Sequence, residues 1–266
     1  MFDILQKKKL AENTYLIEIE APDIAKKAKP GQFIILRVDE KGERIPLTIA
    51  DSTKKTITIV FLVVGKTTTQ MSLMKKGDSL MDVVGPLGNP SKIQDYGSVV
   101  IIGGGLGIAP IYPIAQALKK AKNKVTAIIG AKNKKNLFWE DRFKQICDKA
   151  LIATDDGSKG AKGFVSDVLR ELMAKEKIDL VIAIGPPIMM KVVSEITKNR
   201  IKTIVSLNPI MIDGMGMCGC CRVIVGGELK FACCDGPEFN GHQVDWNELM
   251  NRNKTYIEEE KCACKS

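Results

Sequence analysis

Residues 98–110 read SVVIIGGGLGIAP, and the class of the protein turns on how they are interpreted. Val99, Val100, Ile101 and Ile102 form an unbroken apolar run, the pattern of a strand covered on both faces. Glycines follow at once, and Ile111 to Lys120 has helical spacing. A strand that turns through glycines into a helix offers backbone amides and the positive end of the helix to an anion, and Pro110 suits the first helical turn. The run lacks the closing glycine of GxGxxG. The motif alone therefore admits a ligand-free turn as well as a nucleotide site.

Toward the C-terminus the rhythm continues. Val125 to Ile129, the run LIATDD and Asp179 to Ile184 read as further strands, and Phe164 to Lys175 reads as a helix. Alternating strands and helices predict a parallel sheet with right-handed crossovers. Thr154-Asp155-Asp156-Gly157-Ser158 and Gly185-Pro186-Pro187-Ile188-Met189 both follow strand ends, on the rim where open α/β sheets bind ligands. With the glycine turn they predict a dinucleotide site drawing on Gly104, Gly105, Leu106, Gly107, Ile108, Ala109, Pro110, Asp155, Asp156, Gly185, Pro186 and Met189. No acidic residue closes the second strand to hold a ribose diol. Gly130 to Lys135 offers lysines there instead, which suit a 2′-phosphate or are plain loop lysines.

Toward the N-terminus, TYLIEIE, GQFIILRV, TITIVFLVVG and SLMDVVGPLG are short alternating runs broken by Gly, Pro, Lys and Asp, as in a small barrel or sandwich. Arg44-Ile45-Pro46-Leu47-Thr48-Ile49 and Gly65-Lys66-Thr67-Thr68-Thr69 lie about one strand pair apart. An arginine can neutralise a pyrophosphate through paired hydrogen bonds, and threonine hydroxyls can cap the remaining oxygens. A basic strand end and an ordinary helix N-cap explain the same residues.

After about residue 207 periodicity gives way to IDGMGMCGCCRV (212–223) and KFACCDGP (230–237). Of eight cysteines only Cys147 lies before residue 200, so they do not form a disulfide framework; such a cluster marks a metal or redox site. Asp213-x4-Cys218-x2-Cys221 has the spacing of a plant-type [2Fe–2S] run with aspartate in the first place. Residues 222–233 predict a hairpin turning at Gly226-Gly227, which pairs Val225 with Glu228 and returns Cys233 to the loop. Strict alternation would set Cys233 beside Cys220 and Cys221 beside Cys234, whereas the ligand spacing selects Cys221. Zinc uses similar thiolate spacings and is the competing metal.

The 266 residues are 45% hydrophobic and 27% charged, which is ordinary for a globular protein. No signal peptide and no membrane-length apolar run is evident, so a cytoplasmic location is expected. The formal charge of +9 comes mainly from scattered lysines and reads as a solvated surface; no basic aromatic strand points to nucleic acid. His242, the only histidine, reads as a turn or core residue, and Cys262 and Cys264 sit in a charged, reactive tail.

R-x-P-x-T, G-x-T-T, GGGxGxAP, TDDGS and GPPxMM, in that order, resemble the ferredoxin–NADP reductase superfamily, in which an FAD-binding barrel precedes a nicotinamide-nucleotide domain. The resemblance implies Arg44 at the FAD pyrophosphate and Thr48 at the flavin N5 edge, with Pro46, Leu47 and Ile49 around it. Gly65, Lys66, Thr67, Thr68 and Thr69 would serve the phosphates. Leu47 stands where many relatives place tyrosine, and Ile184 replaces a cysteine often found before Gly-Pro. With the cysteine module included, the chain resembles the sulfide/dihydroorotate dehydrogenase-like FAD/NAD-binding family. D-G-x-G-M-C-G-x-C-R and F-A-C-x-D-G-P-E-F are closer to its branch of small subunits of NADH-dependent reduced ferredoxin:NADP oxidoreductases (sulfide dehydrogenase beta subunits).

That likeness implies an oxidoreductase subunit with an FAD-binding β-barrel (1–96), an α/β NAD-binding domain (97–206) and a [2Fe–2S] module with tail (207–266). The implied ligands are Asp213, Cys218, Cys221 and Cys233, with Cys220 and Cys234 as neighbours. NADH would be oxidised through FAD and the cluster. The implied partner is a larger subunit of glutamate-synthase-small-subunit type carrying a second flavin and [4Fe–4S] clusters, with ferredoxin reached through the bifurcating complex. The alternatives are the electron-transfer subunit of dihydroorotate dehydrogenase and, from another class, a non-catalytic zinc-bound assembly module.

Overall fold

The computed structural model describes residues 1–259, so Cys262 and Cys264 lie outside the described residues. The chain begins with an antiparallel sheet built from β1 (Phe2–Ala11), β2 (Thr14–Glu20), β3 (Phe33–Arg37), β4 (Ile45–Ser52), β5 (Thr56–Leu62), β6 (Ser79–Leu80) and β7 (Asp82–Leu87). Helices α1 (Pro22–Ala25) and α2 (Lys66–Leu73) interrupt it. The spatial order is β6-β1-β2-β5-β4-β3-β7. Only Met81 separates β6 from β7, and its amide bonds to the carbonyls of Arg37 and Val38, both at 3.1 Å. The two ends of the sheet are thus one stretch of chain, and the sheet is a nearly closed barrel.

Alternation explains β2, where Ile17 and Ile19 are buried while Glu20 faces out. The strand β1 lacks that alternation: in FDILQKKKLA only Ile4 and Ala11, seven residues apart, are buried, and the pairing shifts register between them. One of its lysines is used structurally, because Lys7 Nζ donates to the carbonyls of Ser72 (2.5 Å) and Met74 (2.6 Å) at the end of α2.

The second layer contains β8 (Ser98–Gly104), α3 (Ile108–Lys120), β9 (Lys124–Ala131), α4 (Glu140–Ile146), β10 (Lys149–Thr154) and β11 (Ala161–Lys162). It continues with α5 (Val165–Lys175), β12 (Leu180–Ile184), α6 (Pro187–Thr197) and β13 (Lys202–Ser206). The C-terminal elements are β14 (Arg222–Val225), β15 (Glu228–Phe231), β16 (Glu238–Asn240) and α7 (Trp246–Arg252). The sheet order is β11-β10-β9-β8-β12-β13-β16, parallel except for β16. Val99 to Ile102 pair with β9 on one side and β12 on the other and are essentially inaccessible, as their apolar run predicts. The order reverses between β8 and β12, which places the ligand crevice of such a sheet at their C-terminal ends.

The β14–β15 hairpin pairs Val225 with Glu228 and Arg222 with Phe231. Gly226 and Gly227 both have positive φ, 63° and 80°, the requirement of the tight two-residue turn. This C-terminal part shares one core with both other layers. Cys221, Val223, Cys233 and Trp246 pack with Phe33 and Ile35 of the barrel and with Val181 and Val205 of the sheet. No helix among the described residues is long and apolar enough to cross a membrane.

Candidate functional site

One cleft of about 1020 Å³ runs between the layers, at the upper end of the range for ligand sites. The barrel contributes Phe33, Pro46, Leu47, Thr48, Val60 and Leu62, and the sheet contributes its three C-terminal loops. The segment Ser206–Pro209, with Met211 and Pro237, forms a further wall.

Of the residues singled out for a dinucleotide, Gly104, Gly105, Leu106, Gly107, Ala109, Pro110, Asp155, Gly185, Pro186 and Met189 line this cleft. Ile108 turns into the core, and Asp156 is exposed, its carboxylate accepting from the Ser158 amide at 2.9 Å. The glycine turn and the Gly185 loop touch at the switch point. A Cβ on Gly107 would stand 2.0 Å from the carbonyl oxygen of Ile184, so only glycine lets the turn come so close to the end of β12. The third loop is fastened by Thr154, whose hydroxyl donates to the Lys159 carbonyl (2.7 Å) and accepts from the Lys159 amide (3.0 Å). Lys132 reaches the cleft lining, whereas Lys134 and Lys135 do not.

Pro46, Leu47 and Thr48 lie on β4 with Thr48 opposite Phe33 and Leu47 opposite Ile34, and all three line the cleft. Ile49 is core. Thr48 makes no side-chain hydrogen bond among the described residues, which leaves its hydroxyl available to a ligand. Arg44 is exposed, two residues before Pro46 along the chain. Gly65 caps α2, and the Thr68 hydroxyl accepts the Gly65 amide at 3.0 Å and donates to the Gly65 carbonyl at 3.1 Å. Thr67 donates to the carboxylate of Glu43 at 3.2 Å, which brings the Gly65–Thr69 turn beside the loop that carries Arg44. Lys66 and Thr69 are exposed on the same turn, and none of these residues lines the cleft.

The acid and thiols of the C-terminal loop form two pairs. In the first, the Asp213 carboxylate accepts three backbone amides, from Met215 (2.8 Å), Met217 (3.0 Å) and Cys218 (2.6 Å). The Met215 amide foremost, against a little burial, and then the Cys218 amide hold its carboxyl below the usual value. Burial opposes ionisation of Cys218, but the Cys220 amide, 3.5 Å from its sulfur, helps outweigh it, and the thiol falls below its ordinary value. In the second pair, Cys221 Sγ and Cys233 Sγ are buried 3.2 Å apart. Burial first, then contact with the Cys221 and Cys234 sulfurs, pushes the Cys233 thiol well above its usual range.

The separation of 3.2 Å far exceeds a disulfide bond of about 2.05 Å. It approaches the roughly 3.8 Å edge of a tetrahedral site with metal–sulfur bonds of about 2.3 Å. Three soft sulfurs, one carboxylate and inward-facing amides fit an iron–sulfur group. Among the described residues no three of these donors converge on a single point as a lone metal ion would require.

The expected hairpin register is borne out, and the sulfurs brought together are Cys221 and Cys233. The ladder ends at Arg222 and Phe231; the Asp235 carboxylate then accepts the Phe231 amide at 2.7 Å and curls the chain out of strand alternation. Sequence reading missed Phe33, Val60, Phe164, Arg170, Met211 and Pro237 as cleft residues. The available signal was Asn208-Pro209, a polar, proline-bearing stretch just past a strand end, like the other rim loops. His242 bonds to the Thr197 hydroxyl at 3.1 Å, a structural role outside the cleft.

Residues 208–245 match the iron–sulfur cluster binding domain of dihydroorotate dehydrogenase B, and residues 101–195 match the oxidoreductase NAD-binding domain. The chain is 52% identical to the Thermotoga maritima dihydroorotate dehydrogenase B (NAD(+)) electron transfer subunit homolog, across 98% of this chain and 93% of that protein. It is 37% identical to the electron transfer subunit of dihydroorotate dehydrogenase B (NAD(+)) from Desulforamulus reducens, across 89% and 94% of the two chains. A chain from a solved structure of NADH-dependent reduced ferredoxin-NADP oxidoreductase, described for flavin-based electron bifurcation, superposes with TM-score 0.95 at 50% identity. That match covers 99% of this chain and 96% of that one. Phthalate dioxygenase reductase, 15% identical with TM-score 0.61 over 84% and 85% of the chains, shares the fold.

Proposed function

Since the chain belongs to the family of dihydroorotate dehydrogenase B electron transfer subunits, we propose that it is the NADH-oxidising subunit of an electron-bifurcating ferredoxin:NADP oxidoreductase. It is an oxidoreductase subunit whose cofactors are FAD, a [2Fe–2S] cluster and NAD(H). The observation that carries the proposal is the cleft itself: barrel residues, the glycine turn and the segment leading into the cysteine loop line one space. Met211 lines it, and Asp213 is two residues on, a span of at most about 7 Å between Cα atoms.

When bound, FAD and NADH supply hydride chemistry and the iron pair supplies one-electron transfer. In this reading residues 1–96 hold the flavin. Arg44 and the Gly65–Thr69 turn, with Lys66, Thr67 and Thr68, serve its phosphates. Thr48 presents its hydroxyl to the N5 edge, Pro46 and Leu47 shape the ring site, and Ile49 backs them from the core. Residues 97–206 hold the nicotinamide nucleotide through the amides of Gly104 to Ala109 ahead of Pro110, the loop at Asp155 and Asp156, and Gly185, Pro186 and Met189. Leu106 and Ile184 exclude water where the rings would meet. Residues 207–266 hold the cluster through Asp213, Cys218, Cys221 and Cys233. Two donor pairs suit a core of two irons better than they suit one tetrahedral zinc.

The chain acts with a partner subunit. We assign as partner a larger protein of glutamate-synthase-small-subunit type with its own flavin and [4Fe–4S] clusters. Exposed Ile212, Met215 and Met217 on the cysteine loop support docking there. The test is anaerobic co-purification followed by NADH titration. Bleaching of flavin absorbance with the appearance of a reduced [2Fe–2S] spin signal is expected; zinc without iron, or irons that NADH never reduces, overturns the reading. Reduction of NADP+ that requires both NADH and reduced ferredoxin as electron donors would place the complex as proposed, whereas orotate reduction would place it with the dihydroorotate enzymes.

A further inference from the structure

Cys234 lies beside the proposed iron site without belonging to the four ligands. Its Sγ is 3.6 Å from Cys233 Sγ, which is itself 3.2 Å from Cys221 Sγ. The other side of Cys234 faces the ligand loop: a Cβ on Gly216, midway between Asp213 and Cys218, would stand 2.7 Å from its sulfur. The second sulfur therefore occupies the space that a side chain at position 216 would need. Cys234 is exposed where Cys233 is buried.

The backbone under Cys234 is held from both directions. Its amide donates to the Phe231 carbonyl (2.9 Å), the next amide, of Asp235, donates to the same carbonyl (2.7 Å), and Asn89 Nδ2 donates to the Cys234 carbonyl (2.8 Å). Only the side chain is left to move. One step between staggered rotamers displaces a cysteine sulfur by about 3 Å, nearly the gap that separates the Cys234 sulfur from that of Cys233.

Resting on the iron–sulfur reading above, we infer that Cys234 is a reserve ligand that replaces Cys233 at the iron by side-chain rotation. In the exchange one iron–sulfur bond to Cys233 breaks and one to Cys234 forms. The proton leaving the Cys234 thiol is taken up by Cys233, and no electron is transferred. Where Cys233 is absent, Cys234 completes the ligand set with Asp213, Cys218 and Cys221.

The test measures iron and sulfide per flavin, and the spin signal after dithionite reduction, in the full chain co-purified with its partner. Cys233→Ala keeps near wild-type iron with shifted g-values, Cys234→Ala keeps its iron, and the Cys233→Ala/Cys234→Ala double variant has none. Should Cys233→Ala lose its flavin as a misfolded protein would, Cys233→Ser and Cys233→Ser/Cys234→Ala decide, with retention expected only in the first. A Cys233→Ala protein that is flavin-loaded yet as iron-free as the double variant overturns the inference, as does equal retention in the serine pair. Iron-free wild-type protein would sink the cluster reading along with it, whereas loss in the variant alone leaves that reading standing.

Discussion

A methyl group added at Gly107 would lie 2.0 Å from the Ile184 carbonyl oxygen, far inside contact distance, so the turn or the end of β12 must shift. Both line the cleft, and a misplacement of about 1 Å at a reacting centre can cost about 100-fold. Gly107→Ala is therefore expected to lower kcat/KM for NADH by about ten- to a hundredfold while leaving the flavin content unchanged, as steady-state NADH:acceptor kinetics and flavin absorbance would measure. At this scale the sequence was informative where the chemistry is local: a glycine run after an apolar strand, or cysteines at ligand spacing, carries its meaning within a dozen residues. Phe33, Met211 and Pro237 carried no such mark, because each reaches the cleft through packing between distant segments. Cys221 and Cys233 show the limit of alternation. Strand parity held to the last pair of the hairpin, and the Asp235 turn then set the sulfurs.

Among the elements, α7 shows how a short helix fixes a loop. Asp245 caps it by accepting the amides of Asn247 (3.1 Å) and Glu248 (3.0 Å), and from its last turn Arg252 donates to the Cys220 carbonyl at 3.1 Å. Truncation of such a cap costs about 1 kcal/mol. Asp245→Ala is expected to lower unfolding stability by about that much, read as a shift of the denaturant midpoint. The helix has only seven residues and β16 only three, too few for a period to emerge from sequence. The strand β1 escaped for another reason: its buried residues Ile4 and Ala11 lie seven apart with register shifts between them, so no two-residue period survives along its lysine run. The long buried strand β8 and the hairpin were legible because each satisfies its pattern throughout.

For the molecule as a whole, the junction of its layers is fastened by Glu238. Its carboxyl lies 2.5 Å from the hydroxyl of Ser91, on the connection between barrel and sheet. Burial raises this carboxyl above its usual value, and the Ser91 hydroxyl offsets only part of the effect. A raised folded value means that its contribution to stability is complete below the unfolded value of about 4.3 and is lost as pH rises through the folded one. Denaturant midpoints followed upward from pH 4 should therefore show a decline in the wild type that Glu238→Gln, which has no carboxyl to ionise, lacks. The two-layer plan was readable from the change of rhythm near residue 97, but the seat of the C-terminal part was not, since β13 and β16 pair across a long stretch of chain. That pairing has a consequence for solubility. The backbone groups of Ile204 to Ser206 bond to Asn240, Phe239 and Glu238, so a chain ended at Ser206 would bare them as a template for the strand of another copy. The iron-binding portion thus also keeps one molecule from adhering to the next.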